Sequence, residues 1–233
     1  MSNPTSTPLA PHPEYYINGG DLYLVAGNTQ YRVHSYFFER DSEYFRKKLN
    51  SHAPLSAPRL GSSDANAIII KRAGPNEFEK LLWVFYNPKY SLYEATASEW
   101  ITILKLACDY RFNEVKLLAI RGLEMSNLTT VQRIQIYELY HVERQYLVPL
   151  YDVLCRREEC LTEEEAKELG LPTTLLIFRI REILRSQSGD GSDKSPLPAS
   201  LDDVYITRTI CSSLGVDPQS LPGAGSLVIS LVP

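Results

Sequence analysis

The chain has 233 residues, 44% hydrophobic and 22% charged, enough to bury a core in one medium domain or in a domain with an appendage. Its formal net charge of −4 argues against nucleic acid as a partner, since such domains carry a basic excess or a basic face. No apolar run approaches the roughly 20 residues that span a bilayer, and "MSNPTSTPLAPHP" has neither the basic nor the apolar region of a secretory signal.

Residues 1–13, rich in Pro, Ser and Thr, read as a disordered lead, with order beginning near Tyr15. "DLYLVAGNTQYRVHS" reads as a hairpin. Leu22 and Leu24 alternate on one arm and Tyr31 and Val33 on the other, around turn chemistry at "AGN". After His34 the period changes. Tyr36, Phe37, Tyr44, Phe45 and Leu49 suit the apolar side of short helices, and Ser42 offers an N-cap. "SHAPLSAPRLGSSDAN" is a loop, and "AIIIK" a short buried strand.

Helical spacing then takes over. Phe78, Leu81, Leu82 and Phe85 form one stripe, and Trp100, Ile103, Leu104, Ala107 and Cys108 a second, with Thr96 and Glu99 as a capping box. Val115, Leu118, Ala119 and Gly122 form a third stripe capped by Asn113. Thr129 with Gln132 and Thr162 with Glu165 are two further capping pairs. Pro149 fits only near a helix start, and Gly170 ends a helix. A last amphipathic helix covers "LPTTLLIFRIREILR". A flexible linker over 187–200 and a partly ordered tail over 201–233 follow, the tail ending in the apolar "GSLVISLVP". Strands first, then one strand among helices, then helices only, predicts an α+β domain with an all-helical extension.

Chemistry is sparse. His12 falls in the lead, His52 in a Pro/Ser loop, and His34 and His141 stand far apart, so no metal-ligand spacing exists. The cysteines are Cys108, Cys155, Cys160 and Cys211. The spacing of Cys155 and Cys160 around "RREE" does not suit zinc, and free thiols in a cytoplasmic or nuclear protein are expected. No nucleophile elbow, phosphate-binding glycine loop or HExxH helix occurs. Catalytic, cofactor and metal sites are therefore all read as none. The run Arg46, Lys47, Lys48 reads as an exposed helix side. His34 reads as the pin of a strand–helix corner that donates to backbone carbonyls, and Asp21 as a cap for free N–H groups.

The stretch "DLYLVAGNTQYRVHSYFFERDSEYFRKKL" resembles the opening of a BTB (POZ) domain, matching in order at Asp21, Val25, Tyr31, Val33, His34, Ser42, Phe45 and Leu49. "FEKLLWVFYNPKY", "WITILKLACDYRFNEVKLLAIRGLE" and the helices after them are similar to BTB-domain proteins of mushroom-forming fungi, over about residues 15–185. The resemblance implies a small mixed sheet covered by helices over 14–125 and a BACK-like helical extension over 126–186. It implies a non-catalytic protein-interaction module that self-associates, recruits partners or serves cullin-type ubiquitin ligases as a substrate adaptor. The partners would be proteins, with no membrane, nucleic acid or small-molecule substrate. The stretch "APHPEYYINGG" before Asp21 reads as too short and too rich in Pro and Gly for the extra helix that the resemblance associates with strand-swapped dimers. By the same resemblance, Tyr110 sits where some adaptors place an aromatic cullin contact, or it packs at a helix end. Tyr86, Tyr90 and Tyr93 form a loop cluster that is either a binding rim or an anchor on the core.

Overall fold

The structure, a computed structural model, describes residues 8–50, 58–89, 93–186 and 201–221. The chain divides into two compact units, Met1–Asn127 and Leu128–Pro233.

In the first unit, β2 (Leu22–Ala26) and β3 (Thr29–Val33) pair antiparallel with Leu22 opposite Val33 and Leu24 opposite Tyr31. The period of two sends Leu22, Leu24, Ala26, Tyr31 and Val33 into the core. Gly27 turns the hairpin at φ 56°, in the left-handed region that other L residues resist. β4 (Ile68–Ile70) adds to β2 in parallel, and the order of the sheet is β1-β3-β2-β4. β4 is expected as a buried strand, yet Ile69 is 61% exposed, because an edge strand covered on one face keeps only alternate side chains inside.

β1 (Ala10–Tyr16) corrects the disordered lead over 1–13. Residues from Ala10 onward run parallel to β3, with a register shift between Pro11 and Tyr16. Two prolines are tolerated because an edge strand need not offer every N–H to a neighbour. The free N–H groups that remain find partners, Ala10 on the Asn28 carbonyl and Ile17 on that of Arg32. His12 joins this strand rather than a loose end. Its Nδ1 accepts the N–H groups of Glu14 and Tyr15, and its ring stacks on Tyr31 at 5.2 Å.

Five helices cover the sheet: α1 (Ser35–Asp41), α2 (Glu43–Leu49), α3 (Pro75–Tyr86), α4 (Ala97–Asp109) and α5 (Asn113–Glu124). Thr96 and Glu99 form the box that opens α4, whereas α5 is preceded by Phe112, with Asn113 its first residue rather than its cap. The stripes read from the sequence are the buried faces, except that Phe85, Cys108, Leu118 and Gly122 are only half-buried. Tyr36 is 61% exposed, so it leaves the aromatic core in which its spacing placed it.

The second unit packs α6 (Thr130–Leu139), α7 (Val148–Arg156), α8 (Glu163–Arg185) and α9 (Asp203–Leu214). Thr129 and Thr162 each accept the N–H three residues on, at Gln132 and Glu165, and Pro149 sits in the first turn of α7, where its missing N–H has no partner to lose. Gly170, at φ 76°, breaks α8, and Pro172 lies in the first turn of the second segment. Arg181, 5% exposed, donates to the carbonyls of Leu154 and Glu158, and Arg185 to those of Cys155 and Arg157, so two arginines satisfy the end of α7. α9 belongs to this bundle. It buries Ile206, Ile210, Cys211 and Leu214, and Asp203 pairs with Arg156 at 2.7 Å. The tail read from residue 201 is thus a packing element through Leu214. The linker 187–200, His52, Tyr90 and "GSLVISLVP" lie outside the described residues.

Gly122 lets α5 approach α4. A Cβ there would stand 2.3 Å from Trp100, a buried ring hemmed in by Trp83. Gly122→Ala is expected to destabilise the protein by about 1–3 kcal/mol despite its better helix propensity, read as a lower midpoint in denaturant unfolding.

Candidate functional site

The strand–helix corner is closed by four side chains. Asp21, at the start of β2, accepts the Ser35 N–H at 2.8 Å and the Ser35 hydroxyl at 2.7 Å, so it caps α1 from outside the helix. Tyr86, the last residue of α3, accepts the His34 N–H at 2.9 Å through its hydroxyl, and that hydroxyl lies 3.0 Å from His34 Nδ1. His34 is therefore tied to a side chain, not to the backbone carbonyls its position suggested. Tyr86 is part of the corner and not of a loop cluster. Ser42 is fully buried. Its Oγ accepts the Phe45 N–H at 3.1 Å and donates to the Tyr110 carbonyl at 2.5 Å. Phe45 lies 4.9 Å from Phe38, 5.4 Å from Tyr110 and 5.8 Å from Phe112.

Beside this packing, α1, α3 and α5 border a cleft of about 260 Å³ lined by Phe37, Val84, Phe85, Val115 and Leu118, with Tyr93 at its rim. Phe37 stacks on Phe85 at 5.4 Å. Tyr93 is 44% exposed. Its hydroxyl donates to the Val84 carbonyl at 3.2 Å, and its ring meets Trp83 edge-on at 5.5 Å. It is anchored and still presents a ring face. Arg40, Asp41 and Glu114 supply the polar rim. Arg40 pairs with Asp41 at 2.6 Å and lies 5.1 Å over Tyr36 and 5.5 Å over Phe37. Its pKa is raised further above its already high value, chiefly by the Asp41 hydrogen bonds.

Residues 18–126 match the family model of the BTB/POZ domain. The N-terminal unit carries a BTB/POZ domain. No curated protein matches the chain. BTB domains are protein-interaction modules, and the four-stranded mixed sheet with its helices is that fold.

Within the BTB domain, the signature residues Asp21, His34, Ser42 and Phe45 all converge on the corner and the core beneath it. Tyr110 does not reach the surface. It is 3% exposed, its ring packs on Tyr44 and Phe45, and its hydroxyl accepts the Arg72 N–H at 3.2 Å. Of its two readings, packing at a helix end is the one the burial supports, and the partner contact is corrected. Burial also pushes its hydroxyl pKa up. Tyr90 lies outside the described residues, and among the described residues Tyr93 is the tyrosine that lines the cleft. Phe37 and Leu118 were read only as helical stripe positions. Nothing in their spacing told cleft from core. Arg46 donates to the carbonyls of Glu39 and Arg40 at the end of α1, so the basic run is partly a helix stop. Among the described residues no group of three His, Cys, Asp or Glu side chains is placed to hold a metal, and no helix is long and apolar enough to cross a membrane.

Partial burial raises the Asp21 pKa, but the two Ser35 hydrogen bonds outweigh it and hold the carboxyl below the ordinary value. The carboxylate therefore stabilises the fold above the unfolded pKa of about 3.9, and that contribution disappears as pH falls through the folded value. Asp21→Ala is expected to cost about 1 kcal/mol at neutral pH and much less near about pH 3. Denaturant titrations of both proteins at the two pH values check this, and an equal cost at both would count against the cap.

Proposed function

We propose that the protein is a non-catalytic adaptor or scaffold that holds a partner protein in the α1–α3–α5 cleft of its BTB domain. A cullin-type ubiquitin-ligase scaffold is the first partner to test, and the helical unit acts as a BACK-like extension, in the cytoplasm or nucleus. The observation that carries this reading is the composition of the cleft. Aromatic and aliphatic walls at Phe37, Phe85, Val115 and Leu118, a half-exposed Tyr93 and a rim of Arg40, Asp41 and Glu114 have the apolar centre and polar border of an interface. An amphipathic helix laid with its apolar face in the cleft fits that arrangement.

A second reading, self-association in transcription or chromatin regulation, draws on β4. Among the described residues β4 pairs only with β2, and Ile69 is exposed on it, so its open edge suits strand addition by another copy. This reading predicts a concentration-dependent dimer in sedimentation that Ile69→Lys abolishes.

For the adaptor reading, Tyr93→Ala and Leu118→Glu are expected to keep the native circular dichroism spectrum. Each should weaken co-purification or measured affinity for the scaffold by on the order of tenfold or more. Tyr110→Ala is unsuitable as a test, since it opens a cavity in the core. Undiminished binding by folded Tyr93→Ala and Leu118→Glu proteins would remove the cleft from the interface.

A further inference from the structure

The helical unit carries a hollow of its own, about 640 Å³, bordered by the end of α6, the segment of α8 beyond Gly170 and the end of α9. Its apolar lining is Val142, Leu147, Pro172, Leu176 and Leu214. Glu138 sets a carboxylate among these walls, held by the Tyr151 hydroxyl at 3.1 Å and by Thr173 Oγ1 at 2.9 Å. Both donors are neutral, and among the described residues no Lys, Arg or His side chain bonds to Glu138. The rim carries Glu143 and Arg144, opposed in sign, together with His141, and the Arg144 guanidinium donates to the Leu214 carbonyl at 2.9 Å. Burial, and then the Glu138 charge, push the Tyr151 hydroxyl pKa well up, so the field of the carboxylate is felt inside the unit.

The chemistry of the hollow selects its occupant. A wholly apolar segment seated here would strip water from Glu138 and return nothing to it. An acidic one would add repulsion. Lysine or arginine satisfies both demands, its stem lying along aliphatic walls and its head reaching the carboxylate. A carboxylate bonded by two hydroxyls keeps acceptor capacity for such a head. The volume exceeds one side chain, and the same helices expose further apolar side chains. Leu171 and Leu175, one turn apart beside Pro172 and Leu176, are 70% and 55% exposed, and Leu139, next to Glu138, is 64% exposed. The chain's own "GSLVISLVP" holds no basic residue and fails the same test.

We propose that the hollow between α6, α8 and α9 is a second docking site, for a partner-protein segment that carries a lysine or arginine flanked by aliphatic residues, with Glu138 receiving the cation. This goes beyond the cleft of the BTB domain and does not depend on it.

The test is a phage-displayed random peptide library panned on the full chain, followed by affinity measurements with the resynthesised winners. Enriched peptides are expected to share a basic residue between aliphatic ones and to weaken by at least about tenfold on Glu138→Gln, which removes the charge and keeps an acceptor for Tyr151 and Thr173. Leu176→Arg, which places a cation in the hollow, should cause a similar loss if Glu138→Gln proves unstable. Leu118→Glu in the BTB domain should leave this binding unchanged, which separates its failure from that of the adaptor reading. Enrichment of peptides without a basic residue, affinity retained by folded Glu138→Gln and Leu176→Arg proteins, or no enrichment at all would overturn the proposal.

Discussion

Ser42 Oγ, fully buried where α1 gives way to α2, donates to the Tyr110 carbonyl and accepts the Phe45 N–H. One hydroxyl thus caps α2 and satisfies a carbonyl 68 residues further along the chain, where α4 turns into α5. An orphaned buried carbonyl costs about 1–3 kcal/mol, so this junction has little freedom to open. The chain on either side forms an isolated bridge, Ser42 with Phe112, and the rings of Phe38, Phe45, Phe85 and Phe112 close around it at 4.9–5.8 Å. The position of α1 against α5, and with it the width of the cleft they share with α3, follows from this polar tie inside an aromatic core.

The corner of Asp21, His34, Ser35 and Tyr86 does comparable work at the other end of α1. The carboxylate holds the first N–H of the helix, and the Tyr86 hydroxyl brings the end of α3 to the end of β3. Each contact joins segments distant in sequence through a short, directional bond, which resists shear better than apolar packing alone. The His34 ring faces a tyrosine hydroxyl that already accepts the His34 N–H, so the pair serves the corner.

The two hollows are built on opposite principles. In the BTB domain the charges lie on the rim and pair with each other, Arg40 with Asp41, leaving an aromatic interior. In the helical unit a carboxylate lies among the walls, and among the described residues two neutral hydroxyls hold it. That difference would let the two sites favour different occupants, because a half-buried carboxylate disfavours one that brings no cation, whereas an apolar cleft accepts shape.

Much of this architecture was legible in the residues. Alternation at Leu22, Leu24, Tyr31 and Val33 located the hairpin, and the boxes at Thr96, Thr129 and Thr162 located three helix starts, because both signals are written within a few residues of where they act. The order of the BTB signature identified the fold for the same reason. What proved illegible depends on neighbours far off in the chain. Prolines hid β1, whose partner strand supplies what its own composition lacks. Tyr110 and Tyr93 look alike as sequence, yet one is enclosed by α2 and the other stands at an open rim. Sequence by itself determined which faces are apolar and where helices begin. Only the tertiary structure decided which apolar faces stay uncovered and which polar groups meet, because that choice rests on packing between segments that local periodicity cannot see.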